Sequence, residues 1–363
     1  MSGSALRWRP YPFEIYTWIV FLGSILFLRA SGLRMDWQTV DYTLVPMLWT
    51  LPGALGIGLG IQAVYQPLRR RRLADLQEAA RGLLAPGWWL LWIRLWFAAM
   101  LMSYVYFWVK VCIPLIQPAL WDAQLWQLDR IVHLGFSPNV FAVELFRDSP
   151  LVPLLDAWYG LWVKTVMWTL AFFCAFTGRD LLRRRFMLSA CLLWTLGSWI
   201  YMAFPALGPC YTVPDVWDGV RAAMPLAEGG QRLLWENYQL LVAGRETGML
   251  RQFNPTRGVA AMPSLHVAAH FLFLLWFRRE VRAGHLTPRL GRACLVLGVL
   301  LVLATTAGSV ITGWHYAVDV YVGLALAYLC YRLALWWEKP EREERETRQQ
   351  AAPAEVEAEA KAA

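Results

Sequence analysis

Charge is scarce in this chain of 363 residues: Asp, Glu, Lys and Arg make up 17% of it, against about 25% in a typical soluble domain. A water-soluble globular protein is therefore a poor description. Paired cysteines are lacking too. The six Cys contain no C-x-x-C pair and no metal-like spacing, so neither a disulfide framework nor a zinc site is indicated. Five of them lie in or beside apolar runs, and Cys210 falls in a loop. No internal repeat is evident, which argues against solenoids and propellers. After the first apolar run no small-x-small cleavage site is seen and Arg29 follows at once, so that run reads as a retained anchor rather than a signal peptide.

Apolar surface is what the chain has in excess, with 58% hydrophobic residues and 22 Trp. Crossing a bilayer takes about 20 predominantly apolar residues, and the sequence predicts about eight such spans. They run near 13–28, 44–65, 88–113, 151–176, 186–204, 264–279, 293–311 and 316–337. The expected fold is an all-α integral membrane protein. Arg69 to Arg72, Arg179 with Arg183 to Arg185, and Arg278, Arg279, Arg282, Arg289 and Arg292 all fall between spans on one side. Positive charge of this kind marks the cytoplasmic face. The net charge of +8 thus reads as topology rather than as a nucleic-acid surface.

Three further stretches shape the expectation. Residues 73–86 look like a short cytoplasmic helix. Within 114–150, Trp121, Leu125, Trp126, Leu128 and Ile131 recur at helical spacing, as in an amphipathic helix lying in the outer interface. Residues 205–262 read as a long outer loop. The domain division that follows is 1–86 for two N-terminal helices and a basic linker, 87–337 for a six-helix core, and 338–363 for a charged, disordered cytoplasmic tail.

Two motifs open spans on the side away from the arginines. The first is Pro263-Ser264-Leu265-His266. Proline suits a first helical turn, and the unpaired N–H groups there favour an anion. Ser264 adds a hydroxyl donor, and His266 can pass a proton to a leaving oxygen. The second is Thr312-Gly313-Trp314-His315-Tyr316-Ala317-Val318-Asp319. Here His315 and Asp319 are four apart and share a helix face. A carboxylate so placed fixes the imidazole tautomer and leaves the other nitrogen free to act as a nucleophile. Taken singly, each motif also fits a blander account: a capped helix with an interfacial histidine, or a His–Asp pair that merely satisfies two polar groups. His266 and His270 are also four apart, which admits a metal site with His315 and Asp319; a second-shell carboxylate is not apparent, and no metal is expected.

Together, PSLH and TGWHYAVD resemble the type 2 phosphatidic acid phosphatase superfamily, specifically its inositol phosphorylceramide synthase-like branch. The superfamily pattern is PSGH, then SR-x5-H-x3-D. Leu265 replaces the Gly and Ser309 stands at the Arg position, both as in that branch. The first superfamily motif, K-x6-RP, is expected near the end of the fifth span, but Phe204 to Tyr211 holds neither Lys nor Arg. Lys110 to Pro118 fits superficially, with Gln117 for the Arg, yet lies on the third span and is discounted. The likeness covers about 88–337 and implies a six-helix core to which two N-terminal helices are added.

It implies that His315 attacks phosphorus, Asp319 orients it, and His266 protonates the leaving group and then activates the acceptor. With the usual cations missing, Arg257 and Ser264 are the expected phosphate ligands; Arg251, Arg245 and Lys164 are weaker candidates. His133 and His285 are assigned no role. The implied partners are a phospholipid or other lipid phosphate donor, a hydroxyl acceptor (lipid, sugar or water) and membrane lipids, with no nucleic acid and no cofactor. A lipid phosphatase is the near alternative. A non-enzymatic transporter is less consistent, because transporter sites lie near the midplane. The site is expected on the non-cytoplasmic face.

Overall fold

The computed structural model of the chain describes residues 9–33, 53, 55–64, 77, 81–176, 179–247, 253–283 and 288–339. Among these the elements are helices and turns, with no strand. The helices of nine residues or more are, in chain order, α1 (Pro12–Ala30), α2 (Leu55–Val64), α3 (Pro86–Ile116), α4 (Asp122–Val132), α5 (Pro138–Phe146), α6 (Leu151–Gly160), α7 (Trp162–Cys174), α8 (Asp180–Ala203), α9 (Pro225–Thr247), α10 (Leu265–Arg282), α11 (Pro288–Ile311) and α12 (Ala317–Trp337). Five of them, α1, α3, α8, α11 and α12, are long and apolar enough to cross a membrane. A helix is the economical choice there, since lipid offers backbone groups no partner. Half of the second expected span, Arg69 to Arg72, most of the expected short helix 73–86 and residues 340–363 lie outside the described residues.

Local sequence explains the helix starts. Pro12, Pro86, Pro138, Pro225 and Pro288 each open a helix, where the missing N–H costs nothing. Glu14 accepts from the Tyr11 N–H at 2.7 Å to close the start of α1. Asp319 does the same for α12, taking the Tyr316 N–H at 2.9 Å. At the end of the bundle away from His266 and His315, charged residues tie helices together. Arg179 meets Glu280 at 2.7 Å and Arg184 meets Glu338 at 3.0 Å, while Arg94 pairs with Glu14. Buried charges persist when paired in this way, and these pairs bring the arginine-bearing ends of α8 and α10 to one level.

Three expectations change in detail. The fourth span is two helices, α6 and α7, broken at Leu161 (φ −90°, ψ −4°). Gly160, a weak helix former, stands at the break with Leu226 packed against it. The interfacial stretch is likewise two short helices, α4 and α5. The outer loop carries α9, 23 residues long. Its sequence is polar overall, so it does not stand out as an apolar run. The start of α9 is instead held from outside: the Asp156 carboxylate accepts the Leu226 and Ala227 N–H groups at 2.9 and 2.8 Å, where a negative charge suits the helix dipole.

Candidate active site

Two buried carboxylates bring the second histidine motif into place. Asp129 on α4 accepts the Ala317 and Val318 N–H groups at 2.9 and 2.7 Å. Asp122 accepts from Leu207 and Gly208 N–H and from the Tyr316 hydroxyl. Gly313, at φ +75°, makes the turn before His315, and any Cβ on it would meet the Trp217 ring and Cys210 at under 3 Å. The segment 312–316 is thus clamped by α4 on one side and by the loop after α8 on the other.

The first motif is seated by a different device. Leu265 is fully buried against Gly197 of α8, where an added Cβ would come within 2.5 Å of its methyls. The missing side chain on α8 makes room for the leucine that stands where a glycine is more usual. Gly197→Ala is therefore expected to cost about 1–3 kcal/mol by overpacking and to displace His266 next door. Melting in detergent and turnover should both fall, and adding Leu265→Ala should restore most of the melting temperature. An unchanged Gly197→Ala protein would contradict this packing.

These two devices place His266 and His315 side by side. His315 Nε2 lies 3.1 Å from His266 Nδ1, with ring centroids 5.1 Å apart. His315 Nδ1 faces Asp319 Oδ2 at 3.5 Å, an ion-pair distance longer than a hydrogen bond. Among the described residues His315 Nδ1 and Asp319 Oδ1 have no hydrogen-bond partner, so a small rotation would join them. Tyr159 of α6 hydrogen-bonds His266 Nδ1; no sequence signal singled it out. The two imidazoles touch, so a phosphorus atom fits between them only once His266 swings aside, because attack needs roughly 3–3.5 Å on each side.

The pair opens on a cavity of about 890 Å³, lined also by Lys110, Tyr106, Asp156, Arg257 and Trp314. Lys110, whose string lies on the third span, is among these residues. Its ammonium group lies 3.2 Å from the Tyr106 hydroxyl and 5.4 Å from the centre of the Tyr201 ring. Because α3 packs beside α8, the third span brings a cation to the cavity. Arg257 lines the same cavity on a turn held by Asn237 of α9, whose side-chain amide donates to the Asn254 and Arg257 carbonyls at 3.1 and 2.9 Å.

The remaining candidates lie apart. Ser264 is fully buried, its N–H donates to the Asp319 carbonyl at 2.9 Å, and its side chain is not in the cavity wall. Its hydroxyl has no partner among the described residues. Arg245 donates to the Pro114 carbonyl at 2.9 Å, and Lys164 is exposed on α7. Arg251 and His285 lie outside the described residues. Ser309 donates to the Thr306 carbonyl at 2.8 Å, within its own helix. His133 is held by the Asp129 carbonyl and the Tyr321 hydroxyl. His270 is held by Thr165 and Thr305 at 2.8 and 3.2 Å. Among the described residues no three of His, Cys, Asp and Glu are disposed to hold a metal ion.

His315 lies between α11 and α12, outside the spans. Burial, and next the positive charge of Lys110, push its pKa down from 6.5 to about 3. That direction favours the neutral imidazole, the form in which a histidine can act as a nucleophile. A lowered pKa moves protonation to more acid pH, so His315 should not limit the reaction between pH 7 and 5. An unshifted histidine would lose about thirtyfold of its neutral form by pH 5. The rate of covalent phosphoenzyme formation, followed by rapid quench, is the check. A fall with a midpoint near 6.5 would contradict the burial of this ring.

A family model described as the PAP2 superfamily matches residues 123–333. The apolar helices and this match place the chain in a class of membrane proteins that act on lipid phosphates. The chain is a member of the PAP2 superfamily, whose activities are phosphatase or phosphotransferase reactions on lipid phosphates. No curated protein and no solved structure matches it.

Proposed function

We propose that this protein transfers a phosphoryl or phospho-headgroup unit from a lipid donor to a lipid or sugar hydroxyl through a phosphohistidine. The observation that carries this reading is the meeting of His266 and His315, 49 residues apart in sequence, at a cavity that also holds Lys110. His315 Nε2 forms a bond to phosphorus as the bond to the leaving oxygen breaks. His266 gives that oxygen its proton. The acceptor hydroxyl then loses its proton to His266, attacks phosphorus and releases His315. Asp319 stabilises the imidazole that carries the phosphoryl group. Lys110 and Arg257 hold the phosphoryl oxygens, which carry the developing charge; Ser264 supplies the polar start of α10.

The preference for transfer over hydrolysis rests on Leu265 and Ser309, which match the inositol phosphorylceramide synthase-like branch, and on α9, which lies over the cavity and limits water. The site faces the non-cytoplasmic side, with the C-terminus cytoplasmic, in keeping with the arginines at the opposite end. Residues 87–337 form the catalytic core in this reading. Purified protein incubated with a lipid extract and read by mass spectrometry provides the test. A new phospholipid that is absent with His315→Ala supports transfer. Release of inorganic phosphate alone makes the protein a lipid phosphatase, and no His315-dependent product removes the enzyme reading.

A further inference from the structure

His266 is the part of the site that must move. Its Nδ1 lies 3.1 Å from His315 Nε2, and the hydroxyl of Tyr159 hydrogen-bonds the same Nδ1. A ring nitrogen has one in-plane direction, holding either a hydrogen or a lone pair. It serves one well-aligned partner at a time, so the two neighbours compete for it. Phosphorus enters only when the two imidazoles part, and that takes His315 out of the competition. Tyr159 is then the partner that stays.

Tyr159 is built as a fixed post. It is buried and lies in the cavity wall. Its ring packs on Gly308 of α11, where an added Cβ would come within 3.1 Å of the tyrosine Cβ. The neighbouring Trp158 donates to the Thr305 hydroxyl, also on α11, at 3.3 Å. Asp156, three residues earlier on the same helix face, holds the start of α9 through bonds of 2.9 and 2.8 Å. The end of α6 is thus pinned from two sides. From there the phenol meets the imidazole edge to face, with ring centroids 5.3 Å apart and planes at 78°. A buried tyrosine hydroxyl normally finds a partner; here the partner is one of the two paired histidines.

We infer that Tyr159 is the positioning residue for His266, as Asp319 is for His315: its oxygen accepts the Nδ1–H and makes Nε2 the nitrogen that exchanges the proton. The inference rests on the enzymatic reading above. In the first step His266 is an imidazolium whose Nδ1–H is held by the Tyr159 oxygen. The Nε2 proton passes to the leaving oxygen as its bond to phosphorus breaks and the bond from His315 Nε2 forms. His266 is left neutral, with a lone pair on Nε2. In the second step Nε2 takes the proton of the acceptor hydroxyl as the new oxygen–phosphorus bond forms and the bond to His315 breaks. That restores the imidazolium, and Tyr159 keeps its own proton throughout. An anion beside His266 would favour the charged ring and make it a weaker acid. A neutral hydroxyl orients the ring without holding back its proton. His315, whose ring carries positive charge while bonded to phosphorus, has the carboxylate instead.

Tyr159→Phe removes the hydroxyl and keeps the ring on Gly308. Phosphoenzyme formation is followed by rapid quench on two probes of similar shape. One is p-nitrophenyl phosphate, whose leaving group needs no proton; the other is phenyl phosphate, whose leaving group does. In the variant phenyl phosphate should react at least about tenfold more slowly, with p-nitrophenyl phosphate within about twofold of wild type. Equal loss on both probes, or loss on neither, overturns the inference.

A second arm asks whether Tyr159 acts through His266. In a His266→Ala background, with phosphoenzyme left to accumulate from phenyl phosphate, Tyr159→Phe should change the rate by less than about twofold, because the group it orients is gone. A further loss as large as in wild type marks a packing role and overturns the inference. If wild type forms no phosphoenzyme from either probe, it is the enzymatic reading that fails. The Nδ1 contact is then judged by ¹⁵N NMR of histidine-labelled protein. The chain has five His, and the His266 signals are those lost in His266→Ala. In wild type the neutral ring should carry its proton on Nδ1, and in Tyr159→Phe that proton should be shared with Nε2. The same tautomer in both proteins overturns the inference.

Discussion

His315→Ala is expected to abolish turnover, by at least about 10⁴-fold in kcat/KM, because no neighbouring group replaces a lost nucleophile. His266→Ala should behave differently, and the contrast is the stronger test. The two rings lie 3.1 Å apart through Nε2 of one and Nδ1 of the other, and only His315 faces Asp319. In the proposed mechanism His266 serves the leaving group and then the acceptor. An aryl phosphate with a good leaving group needs no proton donor to expel it. With such a substrate, His266→Ala should form a phosphoenzyme and then stall, since the acceptor has lost its base. Acid-labile, base-stable label on His315, seen by peptide mass spectrometry, is the expected result in that variant. Label on His266 instead would exchange the two roles, and equal activity of His315→Ala would remove the covalent step.

Lys110→Met should lower kcat/KM by about 10²–10³-fold, the usual loss when one preorganised donor to a developing anion is removed. The methionine keeps most of the lysine stem and removes only the ammonium group, which lies 5.4 Å from the centres of the Tyr106 and Tyr201 rings, so the fold should survive. Competitive inhibition by inorganic vanadate should weaken in parallel, which a purely packing role would not produce. Lys164→Met is the control, because that lysine is exposed on α7 and its loss should leave activity within twofold. Full activity in Lys110→Met would shift the phosphate clamp to Arg257 and the backbone.

Much of this site was legible before any coordinates. Proline, serine and histidine at the start of one apolar run, and histidine with aspartate four residues later at another, already imply two helix starts with complementary chemistry. Arg257, expected beside the first of these, lines the cavity. Lys110 is discounted from sequence because its string, although it fits a phosphate-binding motif, lies on the third span; the fold brings it to the cavity. Distance along a chain does not report which helices become neighbours, and α3 and α8 pack side by side. Tyr159 left no trace at all, since a tyrosine in an apolar run reads as packing until its hydroxyl is seen against His266. The break between α6 and α7 and the helix α9 were missed for a similar reason. Both are held by contacts from elsewhere, Leu226 at Gly160 and Asp156 at the start of α9.

From the amino-acid order alone came the membrane class, most of the apolar helices and the identity of both histidines, because length, apolarity and i,i+4 spacing are local quantities. The contact between those histidines, the cation beside them and the cavity they share came only from tertiary structure. Each depends on which helix faces meet. That is decided by small residues and buried carboxylates acting across long sequence separations, such as Gly197 against Leu265 and Asp129 against the start of α12.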